Sequence, residues 1–135
     1  MYANILVPLA PDHGAVAENS LAVARTLASP GARITVLTVL EPIPAYVAQY
    51  LPADQAKKNE AEMDAALAAE FAEQPDVGHM VQSGHPAQTI LDVAEEGGHD
   101  CIVIASHRPG LQDYLLGSTA ARVVRHARCG VHVLR

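Results

Sequence analysis

The chain has 135 residues, half of them hydrophobic, and a formal net charge of −6 from nine Lys and Arg against fifteen Asp and Glu. That length matches one domain built on a single core, and no apolar run approaches the roughly 18–20 residues needed to cross a bilayer, so residues 1–135 are expected to form one domain with no membrane partner. An acidic chain is also a poor match for nucleic acid, whose phosphates demand a basic face.

The predicted elements alternate. Asn4 to Leu9 is a short continuous apolar run of the kind covered on both faces of a sheet. Pro8 lacks an N–H for the ladder and should end it. Pro11, Asp12 and Gly14 form a loop, and Asn19 to Ala28 reads as a helix stopped by Ser29-Pro30-Gly31. Ala32 to Leu40, rich in Val, Ile and Thr, is the second strand. The connection Ile43 to Leu51 carries Tyr46 and Tyr50 and is long. Its expected role is a satellite apolar cluster beneath the next helix, with a cover over a ligand or partner site as the alternative.

Ala53 to Glu73 is a longer helix with Met63, Leu67 and Phe71 on one face as core. Val77 to Gln82 is a weaker third strand. Gly84-His85-Pro86 is a turn that places proline near the first helical position, and Ile90, Leu91 and Ala94 turn to the core until Gly97-Gly98. Asp100 to Ala105 is the most hydrophobic strand, Ser118 to Ala127 the last helix, and Gly130 to Leu134 the final strand.

Strands alternating with helices pair in parallel through right-handed crossovers. The expected fold is α/β, a three-layer doubly wound open parallel sheet with strand order 3-2-1-4-5. In that order the direction of winding reverses between strands 1 and 4, and ligands bind beyond the carboxyl ends of the strands at such a reversal. The loops after Pro8 and after Ala105 therefore face one crevice, with the Gly117-Ser118 helix start beside it. A helix N-terminus offers unpaired N–H groups and the positive end of the macrodipole, which suit a phosphate.

Charge distribution agrees with an anionic ligand. Residues 101–135 hold Arg108, Arg122, Arg125, Arg128 and Arg135 against Asp113, a balance of +4 that leaves −10 for residues 1–100. Arg125 and Arg128 lie near a helix C-terminus, where cations are favoured without any ligand; Arg108 sits in the loop itself. The seven histidines show no metal-binding pair at i, i+4, and no Cys/His cluster, Walker lysine or nucleophile elbow occurs. His107 falls in the phosphate loop, while His126 and His132 read as packing or surface residues. Cys101 and Cys129 read as reduced packing residues. With no basic region ahead of an apolar core at Met1-Tyr2-Ala3-Asn4-Ile5, the expected location is the cytoplasm.

Together Ile5-Leu6-Val7-Pro8, Thr35 to Val39, Gly84-His85-Pro86 with Ile90 and Ala94, Asp100 to Ala105, Leu115 to Ala120, Val124 to Ala127 and Val131 to Arg135 resemble the universal stress protein family nearly end to end. The loop Ser106-His107-Arg108-Pro109 resembles its F/G-like branch. The resemblance implies the adenine nucleotide alpha hydrolase-like fold and a stress-response protein that binds an adenine nucleotide, ATP foremost with AMP or ADP as relatives, and Mg²⁺ as an optional companion. Its contacts fall on Pro8, Leu9, Ala10, Val39, Ala105, Ser106, His107, Arg108, Gly117, Ser118 and Thr119, with the adenine met by backbone near Val39. The resemblance also implies a homodimer through the terminal strand Val131, His132, Val133 and Leu134, an apolar edge suited to pairing with its own copy.

Two positions depart from the nucleotide-binding pattern. The family's Gly-x2-Gly-x9-Gly-Ser/Thr loop keeps only Gly117-Ser118: Ala105 replaces the first glycine, no second glycine stands at the required spacing, and the loop is one residue shorter. After strand 1 the relatives' Val-Pro-x-Asp becomes Val7-Pro8-Leu9-Ala10, with Asp12 two residues on. Arg108 and Ser106 are the expected side-chain substitutes for the glycine cradle. The alternatives are a nucleotide-free, partner-binding stress protein and a weak ATP hydrolase; no catalytic or metal-binding residue is expected.

Overall fold

The computed structural model describes residues 1–106 and 116–135. Its elements run β1 (Tyr2–Pro8), α1 (Val16–Leu27), β2 (Ala28–Leu40), α2 (Ala45–Ala48), α3 (Gln55–Glu70), β3 (Val77–Ser83), α4 (Pro86–Glu96), β4 (Cys101–Ala105), α5 (Ser118–His126) and β5 (Gly130–Leu134). The sheet order is β3-β2-β1-β4-β5 and every pairing is parallel, as the strand–helix alternation predicts.

Side-chain alternation along the central strands divides the core in two. Ile5, Val7, Ile34, Val36, Cys101 and Val103 pack under Ala17, Leu21 and Ala24 of α1 and Leu67 of α3, together with Phe71 at the end of α3. Leu6, Leu37, Val39, Ile102 and Ile104 pack on the opposite face under α4 and α5 through Ala87, Ile90, Ala94, Ala120 and Val123. Because β1 and β4 are covered on both sides, neither shows the polar alternation of a half-exposed strand. That is why they read as continuous apolar runs.

Several boundaries differ from the sequence reading. Helix α1 begins at Val16 instead of Asn19, because the carbonyls of His13 and Gly14 accept the N–H groups of Val16 and Ala17, with Gly14 in the left-handed region at φ +53°. Ser29-Pro30-Gly31 follows the helix but belongs to β2. Tyr2 pairs with Ala28 and Asn4 with Arg33, so β2 carries an irregularity there that Gly31 permits at φ +78°. Tyr46 and Tyr50 are 73% and 82% exposed, so they do not form the expected satellite cluster. Instead Ile43, Ala48 and Leu51 line a cavity of about 330 Å³ against Leu40 and Ala56.

Candidate functional site

The order reversal between β1 and β4 opens a crevice of about 820 Å³ at their carboxyl ends. Pro8, Leu9 and Ala10 leave β1 along one wall, Leu37 and Val39 come from β2, and Ile90 with Ile104 extends the apolar surface. The opposite wall is Ala105, Ser106, Gly117, Ser118, Thr119 and Ala120. Pro8 ends the β1 ladder as expected. The Leu9 N–H then donates to the Leu37 carbonyl at 2.8 Å, holding the exit of β1 against β2.

Ser106 organises the second wall through its main chain. Its N–H donates to the Leu134 carbonyl at 2.7 Å and its carbonyl accepts the Gly117 N–H at 2.6 Å, and the residue is 2% exposed. One buried residue thus stitches the end of β4 both to the end of β5 and to the start of α5. The α5 ladder opens with the Ala121 N–H donating to the Gly117 carbonyl. The amides of Ser118, Thr119 and Ala120 precede that bond and have no acceptor among the described residues. They are the orphan donors of a helix start, and the partial positive charge of the helix dipole sits with them.

Nine of the eleven residues singled out from sequence therefore line one crevice: Pro8, Leu9, Ala10, Val39, Ala105, Ser106, Gly117, Ser118 and Thr119. His107 and Arg108 lie outside the described residues. The structure adds Pro11, Asp12, His13, Val16, Glu41 and Pro86 to the lining. Asp12, two residues beyond the Ala10 that stands at the position of the relatives' strand-1 acid, thus brings a carboxylate-bearing residue to this wall. His13 and Glu41 carry no local motif, but the topological rule could have found them, since each follows a strand that ends at the crevice.

His13 is the polar side chain best fixed by its surroundings. Nδ1 lies 2.7 Å from the Ala10 carbonyl oxygen and Nε2 lies 2.9 Å from both carboxylate oxygens of Glu70, at the end of α3. Among the described residues no three His, Cys, Asp or Glu side chains gather as a metal site. The two thiols lie away from the crevice at the other end of the sheet. Burial pushes the Cys101 thiol up to about 11, with the charges of Cys129 and Asp100 adding to the shift, and burial raises Cys129 as well. Among the described residues, no helix is long and apolar enough to cross a membrane.

Comparison with known proteins bears on the whole chain. The sequence profile of the universal stress protein family matches residues 1–135. Universal stress protein G of Shigella flexneri is 42% identical over 55 residues, which cover 41% of this chain and 39% of that relative, so the matched stretch spans well under half of the relative's length. The fold is similar to universal stress protein UspA from Lactobacillus plantarum, at a TM-score of 0.75 and 28% identity over 99% of this chain and 98% of that one. It is similar as well to a universal stress protein solved in complex with cAMP, at a TM-score of 0.68 and 19% identity over 99% and 97% of the two chains. With the profile covering every residue and the five-stranded order reproduced, the chain belongs to the universal stress protein family.

Proposed function

We propose that this protein binds an adenine nucleotide in the crevice and acts in the cytoplasmic stress response as a homodimer. ATP is the leading ligand, with AMP and ADP as relatives and Mg²⁺ accompanying the triphosphate. The observation that carries the reading is the opening of α5: Ser118, Thr119 and Ala120, whose amides have no acceptor among the described residues, line a crevice that also holds the apolar surface of Leu9, Leu37, Val39 and Ile90. Phosphoryl oxygens match the amides, and a purine matches the surface made by Leu37, Val39 and Ile90. The cAMP complex of a structural relative supports a nucleotide in this fold. Arg108 would add a guanidinium to the phosphate end. The homodimer would form through β5, the sheet edge on the α5 side, by pairing Val131 to Leu134 with a second copy.

Isothermal titration of nucleotide-stripped protein with ATP, AMP and cAMP tests the ligand. Saturable binding of ATP is expected, and no heat at millimolar ATP would reject the reading. One observation favours the alternative of a nucleotide-free, partner-binding protein: Ala105 and Ala10 stand at positions where the resemblance calls for glycine and aspartate. Acid extraction of freshly purified protein separates the two, because a nucleotide binder releases an ultraviolet-absorbing nucleotide.

A further inference from the structure

The ring of His13 meets acceptors on both sides. A backbone carbonyl can only accept a hydrogen bond, so the 2.7 Å contact with Ala10 requires a proton on Nδ1. An ionised carboxylate can likewise only accept, so the 2.9 Å contacts with Glu70 require a proton on Nε2. Both demands are met together by the imidazolium form. The side chain is 8% exposed and Glu70 is 38% exposed, which leaves the pair shielded on the histidine side and wet on the carboxylate side.

The position gives this pair a task. Ala10, Pro11, Asp12 and His13 form one stretch of crevice wall. The His13 carbonyl also accepts the Val16 N–H that opens α1, and the neighbouring Gly14 holds a positive φ. The wall segment is therefore tied at one end to β1 and at the other to α1, and His13 ties its middle to α3. We propose that His13 is held as an imidazolium clamped between the Ala10 carbonyl and Glu70, and that this clamp is the positioning device that sets the β1–α1 wall for ligand. Its effect on binding rests on the nucleotide reading; its charge state and its hold on the loop do not.

Glu70 offers two substitutions with opposite meanings. In E70Q the amide can turn to donate its own N–H to an unprotonated Nε2, so the clamp survives while the ring no longer needs its second proton. In E70A the outer acceptor is gone and the wall loses its tie to α3. The experiment reads ¹⁵N shifts of the imidazole nitrogens, amide hydrogen exchange of residues 10–14, and ATP affinity in wild type and both variants at neutral pH. In the wild type both ring nitrogens are expected to be protonated. In E70Q the Nε2 signal should move to the unprotonated position with loop protection retained. In E70A exchange of the loop should speed up and ATP affinity should fall about tenfold, as when only about a tenth of molecules hold the binding-competent wall.

A wild-type ring with one unprotonated nitrogen overturns the imidazolium assignment. An E70A protein with wild-type loop exchange overturns the clamp, and one with faster exchange but wild-type ATP affinity overturns its positioning role. Wild-type protein that binds no ATP removes the nucleotide reading and the positioning role with it, and the ring signals and loop exchange still decide whether the clamp exists.

Discussion

Replacing Ser118 with proline removes one backbone N–H from the crevice while leaving the helix able to form. Ser118 is the first residue of α5, where proline is tolerated because that N–H has no intrahelical partner. The preceding Gly117 has φ −59° and ψ 153°, the extended conformation that a residue before proline prefers. The Ser118 amide has no acceptor among the described residues, so its loss breaks no described bond within the protein. S118P should therefore fold with a melting temperature equal to or slightly above wild type, since proline at a compatible site stabilises by about 0.4–1 kcal/mol. A hydrogen bond to a charged group is worth about 1.5–3 kcal/mol. At about 1.4 kcal/mol per factor of ten, ATP should bind roughly ten- to a hundredfold more weakly. S118A keeps the amide and loses only the hydroxyl, so it separates the backbone contribution from the side chain. Titration calorimetry supplies the affinities and differential scanning calorimetry the stability. A folded S118P that binds ATP as the wild type does would refute the assignment of the α5 amides to phosphate.

Asp100 ties the β4 entrance to β1 by accepting the N–H groups of Ala3 at 2.9 Å and Asn4 at 3.0 Å. Only the partly buried Asn4 group loses its alternative in water, so D100A should cost about 1.5–3 kcal/mol, or about 5–10 °C for a domain of this size, read by thermal unfolding. The Ala3 N–H, followed by the Asn4 N–H, holds the Asp100 carboxyl below the usual carboxylate value against an opposing effect of burial. A lowered carboxylate pKa stabilises the fold fully above its unfolded value, and the gain is lost as the pH falls through the lowered folded value. The gap between wild type and D100A should therefore be constant near neutral pH and close in strong acid; a gap unchanged at acid pH would contradict the ionised acceptor. Cys101, raised to about 11 by burial, should resist a thiol reagent in native protein at neutral pH and react at once in urea. Rapid native labelling of Cys101 would show that β4 opens readily. If the proposed homodimer forms through β5, light scattering after V131D and V133D should report monomers, and an unchanged mass would remove β5 from that proposal.

The element order was legible because burial on two faces leaves a plain mark. Ile5-Leu6-Val7 and Ile102-Val103-Ile104 have no polar residue to interrupt them, since each must satisfy a helix on either side. The crevice was legible for a related reason: parallel strands that wind outward in both directions leave a gap wherever the winding reverses. Residues next to that gap, such as Leu9, Ser106 and Gly117, could be named from their place in the order alone. The ends of elements were less legible, as with α1 and β2. There the outcome turned on which carbonyl accepts which amide and on glycines free to take positive φ, and neither leaves a hydrophobic period to count.

The sequence by itself determined the strand–helix alternation, the two-sided core and the address of the crevice, because apolar periodicity and chain connectivity are local properties that survive without coordinates. Only the tertiary structure decided that Ser106 stitches β4 to β5 and α5 through its main chain, that Tyr46 and Tyr50 face solvent, and that His13 stands between Ala10 and Glu70. His13 and Glu70 are separated by 57 positions. No spacing rule relates them, and they meet only because the wall leaving β1 and the end of α3 come together on the same face of the sheet.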